Sequence, residues 1–94
     1  MRAFIVSWEE SERGWAVRFD GVSVHLSEEH AKQYEDDYWS KQPDAVPDEY
    51  ERPILGSGRW IEIDDPMLIE ELNKTGNVRL YKHSELFKRQ FMKE

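Results

Sequence analysis

The sequence predicts an α+β domain in which an antiparallel sheet carries its helices on one face. Two observations lead to this prediction. Apolar residues alternate with period two in short segments bounded by turn residues, and other segments begin at helix-capping residues and repeat apolar residues every three or four positions. The predicted order of elements is β-β-β-α-loop-β-α-β-α, a pattern typical of α+β domains. The whole chain, residues 1–94, is predicted to form one domain with a modest core.

Three consecutive strands are predicted in the first quarter of the chain. Residues 2–8 alternate with apolar side chains on both faces, and residues 15–20 and 22–26 alternate after them. Because an Asp-Gly pair favours a tight hairpin, Asp20-Gly21 predicts a chain reversal between the second and third strands. The three strands would then form an antiparallel meander.

Three helices are predicted from the residues at their ends. Ser27 is a suitable N-cap, with two glutamates in the first turn, and this helix is expected to end near Gln42. Asp65 followed by proline begins the second helix, Gly76 ends it, and Ser84 caps the third. Two further strands are predicted at residues 59–64 and 78–82.

The segment 43–58 is predicted to be a long loop. It contains three prolines and two glycines, which leave no room for a long regular element. A loop of this length inside a small domain is often functional.

Composition excludes several kinds of chemistry. The chain has no cysteine, so disulfides, thiolate metal sites and a cysteine nucleophile are excluded. The histidines His25, His30 and His83 lack the spacing of a metal site, and His25 is expected at the surface. No serine lies in a nucleophile motif. We therefore expect no enzymatic activity, no cofactor and no metal. With no signal-peptide pattern and no apolar stretch of membrane-spanning length, we also expect a soluble, cytoplasmic protein that does not bind membranes.

Almost all of the net charge lies in residues 27–53. This segment holds nine acids and three bases, which is −6 of the −7 carried by the chain. Aromatic residues are interleaved with the acids, and an acidic surface with aromatics suits docking on a basic protein. The leading hypothesis is a non-catalytic interaction protein that inhibits or neutralises a basic, nucleic-acid-binding partner, as in bacterial and phage conflict systems. Its predicted partner-binding residues are Glu35, Asp36, Asp37, Trp39, Asp48, Glu49 and Tyr50.

Two short segments resemble the βββα module of HicB-type antitoxins and related small domains of unknown function. Residues 14–19 (GWAVRF) resemble a strand opened by a turn glycine, and residues 27–31 (SEEHA) resemble the start of the helix, although a Pro-Asp-x-Pro-Gly segment typical of the antitoxins is missing. The resemblance covers residues 4–38. It implies a βββα start and toxin neutralisation.

Two other functions stay open at this point. In the first, a nucleotide or metabolite binds under the 43–58 loop and contacts Arg59, Trp60 and Tyr81, of which Trp60 and Tyr81 are predicted to share a sheet face. In the second, the basic segment 78–94 meets the acidic middle of another copy in a homodimer. Direct binding of nucleic acid is not expected, because a net charge of −7 opposes contact with phosphates.

Overall fold

The computed structural model describes residues 1–12, 16–41 and 49–92. Within these residues, an antiparallel sheet of five strands is accompanied by three helices, which confirms the predicted α+β class. The elements in chain order are β1 (Arg2–Glu12), β2 (Ala16–His25), α1 (Glu28–Ser40), β3 (Glu49–Pro53), β4 (Arg59–Glu62), α2 (Pro66–Thr75), β5 (Asn77–Tyr81) and α3 (Glu85–Phe91).

The long strand β1 organises the sheet. It pairs with β2 along one side, and on its other side it pairs with β3 near its end and with β4 near its start. β5 pairs with the second half of β2 and forms the opposite edge. β3 and β4 therefore lie end to end along one edge of the sheet, joined by the turn at residues 54–58.

The predicted hairpin at Asp20-Gly21 is wrong, because β2 runs through both residues as one strand. Trp8 lies opposite Gly21 and Glu9 lies opposite Phe19, so Asp20 is an extra residue in a β-bulge. A glycine inside a strand often marks such a bulge, and Gly21 has a φ of 138°. Since β1 is eleven residues long, it pairs with both halves of β2, and no third strand is needed before α1.

The prediction that the helices share one face is also wrong. Ala3 and Ile5 of β1 pack in a core with α2 and α3, whereas Val6 and Trp8 pack in a second core with α1. We call these two sides of the sheet the α2/α3 face and the α1 face. A strand that is apolar on both faces requires cover on both, and β1 is such a strand.

The three helices begin where the sequence predicts. The side chains of Ser27, Asp65 and Ser84 accept hydrogen bonds from backbone N–H groups of the first turns. Gly76 ends α2 with a φ of 79°. Within the described residues, no helix is long and apolar enough to cross a membrane.

The predicted loop at 43–58 is correct only in part. Residues 43–48 lie outside the described residues, and Glu49–Pro53 forms β3. Proline cannot donate a backbone hydrogen bond to a neighbouring strand. It is tolerated in an edge strand because one side of that strand has no neighbour.

Candidate partner-binding surface

The helix α1 presents an acidic surface to solvent. It contains five acids and one lysine, a net charge of −4, and Asp36 and Asp37 are exposed. Its inner side packs on the sheet through aromatic edge contacts, with ring centroids of Trp8 lying 6.0 Å from Tyr34 and 5.1 Å from Tyr38. The aromatic contacts fix the helix on the sheet and leave four of its five acids exposed, all except Glu35.

Glu35 differs from the exposed acids because it is half-buried. Burial, reinforced by the charge of Asp36, raises the pKa of Glu35 above its usual value. Within the described part of the chain its carboxylate has no hydrogen bond and no ion pair. Its carboxylate therefore carries a desolvation cost that no cation among the described residues offsets.

A groove lies between α1 and the turn that joins β3 to β4. Its volume is about 340 Å³, and Phe4, Val6 and Ala31 contribute to its apolar lining. Glu35 lines the side formed by α1, and Leu55 lines the side formed by the turn. The groove therefore combines an apolar lining with one half-buried carboxylate.

The turn opposite α1 is held in place by hydrogen bonds. The N–H of Ser57 donates to the carbonyl of Ile54 at 3.1 Å, and Gly56 has the positive φ of 76° that the third residue of a type II turn requires. The N–H of Ile54 donates to the carbonyl of Ser7, and the N–H of Ser7 donates to the hydroxyl of Ser57. This turn presents Leu55, whose exposed fraction is 99%.

The other predicted partner-binding residues lie in different parts of the chain. Trp39 lies near the end of α1 with 45% of its surface exposed and its ring 5.2 Å from the ring of Tyr38. Asp48 lies outside the described residues. Glu49 and Tyr50 begin β3, where they pair with residues 12 and 11 of β1. The structure therefore brings Glu35, Asp36, Asp37 and Trp39 together on one helix.

The three residues of the small-ligand hypothesis do not meet. Trp60 and Tyr81 share the α1 face, as the sequence predicts, but they lie in strands at opposite edges of the sheet. Arg59 pairs with Ile5 on the α2/α3 face, and its guanidinium donates to the carbonyl of Ser57 at 2.8 Å.

Sequence reasoning missed an ion-pair cluster formed by Asp20, Glu51 and Arg79. The guanidinium of Arg79 lies 3.0 Å from the carboxylate of Asp20 and 3.4 Å from that of Glu51. It also lies over the rings of Trp8 and Tyr81, at 5.2 and 4.2 Å from their centroids. The three charged residues come from β2, β3 and β5, so no spacing in the sequence indicated the cluster.

The same cluster shifts the pKa of Glu51 and connects it to α1. Burial and a hydrogen bond with Asp20 raise the pKa of Glu51 to about 7, although the charge of Arg79 lowers it. The hydroxyl of Tyr38 donates to the backbone carbonyl of Glu51 at 2.8 Å. The cluster and this bond hold α1 and β3 against the sheet, which is a structural role.

The expectation that His25 lies at the surface is wrong, because its side chain is fully buried. Its Nε2 lies 2.7 Å from the hydroxyl of Ser23, which also accepts a hydrogen bond from the indole of Trp8. The side chain of Asn77 lies 2.6 Å from Nδ1. The amide nitrogen of Asn77 is assigned to this side, because it can then donate to Nδ1 and to the backbone carbonyls of His30 and Gly76. Burial lowers the pKa of His25 below 6.5, so the ring is neutral near pH 7.

No protein-family model, curated protein or solved structure matches this chain. Among the described residues, no three histidine or acidic side chains are arranged to hold a metal ion.

Glu51→Gln is expected to stabilise the protein at high pH. The folded protein keeps the proton of Glu51 up to about pH 7, whereas an unperturbed glutamate releases it near 4.5. The contribution of this group to stability is thus complete below pH 4.5 and is lost as the pH rises through 7. After allowing for solvent screening, we expect the variant to be more stable than wild type by about 1–2 kcal/mol at about pH 8 and equal to it at about pH 5.

Urea denaturation at the two pH values measures this difference. Glu71→Gln, at an exposed position of α2, is the matched control and should change stability little at either pH. If Glu51→Gln changes the free energy of unfolding by the same amount at both pH values, Glu51 does not titrate as described.

Proposed function

We propose that this protein is a non-catalytic interaction protein that binds a basic protein through α1 and thereby inhibits or neutralises it. The observation that carries the proposal is the placement of Glu35, Asp36, Asp37 and Trp39 on a helix fixed to the sheet by buried aromatic contacts. An acidic helix of this kind offers a basic partner a surface that is already ordered, so less conformational entropy is lost on binding.

Charge and apolar contact have different roles in this proposal. The net charge of −4 on α1 attracts a cationic surface and speeds the encounter. Trp39 and the groove beside α1 then supply contact area. A nucleic-acid-binding protein is a suitable partner, since its own basic site would meet carboxylates in place of phosphates, and covering that site would inhibit it.

Reversing the charges of Asp36 and Asp37 tests the proposal. We expect Asp36→Lys combined with Asp37→Lys to weaken capture of a basic protein from cell lysate by about tenfold or more, because both charges would repel the partner. Capture by wild type is expected to fall as the salt concentration rises.

The matched control combines Glu70→Lys with Glu71→Lys, which makes the same change in net charge at exposed positions of α2 on the other side of the sheet. This control should bind like wild type. If the α1 variant captures the same proteins in the same amounts, the proposed function is wrong.

A further inference from the structure

Two features of the groove beside α1 bear on which partner the proposed function would recognise. Leu55 projects from the turn with 99% of its surface exposed, and the turn is held by hydrogen bonds on both of its sides. A large aliphatic side chain that is fully exposed on a held turn buries no surface within the fold and is available as an anchor to a partner. Leu55 also lines the groove, so the projecting side chain and the cavity belong to one surface.

The second feature is the unmatched charge of Glu35 within the groove. Its carboxylate is half-buried next to the apolar side chains of Phe4 and Val6. Lys32 lines the same groove but forms no ion pair with Glu35 in the described part of the chain. A cation from another molecule would offset the desolvation of this carboxylate, and its aliphatic stem would cover the apolar lining.

We propose that the groove is the specificity site for the partner and receives an arginine or lysine side chain that has an aliphatic neighbour in its sequence. The cationic group binds the carboxylate of Glu35, the methylene stem packs on Phe4 and Val6, and the aliphatic neighbour packs on Leu55. This inference rests on the proposed function, since it names the part of a basic protein that α1 and the groove recognise.

Charge complementarity favours such a partner over a second copy of this chain. The whole chain has a net charge of −7 and α1 has −4, so two grooves facing each other would bring like charges together. A basic segment instead meets the opposite charge at Glu28 and Glu35, the two acids that line the groove together with Lys32.

Fluorescence anisotropy with labelled peptides tests the inference. The probes are a short peptide of alternating arginine and leucine, the same peptide with serine in place of leucine, and the same peptide with glutamate in place of arginine. We expect the arginine–leucine peptide to bind at least about tenfold more tightly than either of the others. Glu35→Gln and Leu55→Ser should each weaken its binding by about tenfold, whereas Glu71→Gln and Met67→Ser, at exposed positions of α2, should not.

The outcomes separate this inference from the proposed function. If the arginine–serine peptide binds as tightly as the arginine–leucine peptide, and both groove variants bind like wild type, the groove is not the site although α1 still binds basic chains. If neither arginine peptide binds, the inference and the proposed function are both wrong. If light scattering shows a dimer that Leu55→Ser dissociates, the groove is occupied by a second copy, and the inference is overturned.

Discussion

Gly21→Ala is expected to lower the free energy of unfolding by about 4 kcal/mol, the largest effect we expect from a small substitution in this chain. An added Cβ would lie 2.1 Å from the carbonyl oxygen of Leu80 and 2.9 Å from the Cα of Tyr81. Both are backbone atoms of β5, so they cannot move without breaking the pairing of β2 with β5. The φ of 138° adds backbone strain for any residue with a side chain.

Urea denaturation of Gly21→Ala and Gly56→Ala separates the clash from the strain. Gly56 also has a positive φ, but an added Cβ would meet no atom within 4 Å, so we expect a loss of only about 1 kcal/mol there. Equal losses at the two positions would show that the bulge tolerates a side chain, contrary to the close packing of β2 against β5.

Arg79→Met is expected to cost about 3 kcal/mol at about pH 8 and above, where Glu51 is ionised in the wild-type protein. The substitution leaves the carboxylates of Asp20 and Glu51 close together without their cation, and it removes the guanidinium from the rings of Trp8 and Tyr81. The loss should be smaller at about pH 5, because Glu51 is then protonated and only one carboxylate lacks its partner.

Arg2→Met is the matched control for this substitution. The guanidinium of Arg2 lies 5.7 Å from the ring centroid of Trp60, but no ion pair with a carboxylate is found for it in the described part of the chain. We expect it to cost less than about 1 kcal/mol, with little dependence on pH. Chemical denaturation of both variants at the two pH values measures this, and equal losses would show that the ion-pair cluster adds no stability.

The sequence predicts the starts of the helices well, because local residues determine them. Ser27, Asp65 and Ser84 cap helices because each capping bond is made within its own first turn. Asp20-Gly21 misled the prediction because the same residues suit a hairpin and a bulge. Only the length of β1, which pairs with β2 on both sides of the bulge, decides between them.

The arrangement of the site was less predictable than its composition. The acids of α1 are visible in the sequence because they are consecutive on one helix. The groove is not, since it forms where Phe4, Glu35 and Leu55 approach from separate elements. The alternation of apolar residues in β1 did contain the signal for helices on both faces, because Ala3 and Ile5 alternate with Val6 and Trp8.

The most direct test of the central claim is an NMR titration of isotope-labelled protein with the arginine–leucine peptide, observed through the backbone amide signals. Binding at α1 and the groove predicts shifts concentrated in residues 28–40 and 54–58, which weaken in Glu35→Gln and at high salt. Shifts centred on α2 or α3, or no shifts at saturating peptide, would contradict the claim that this acidic surface binds a basic partner.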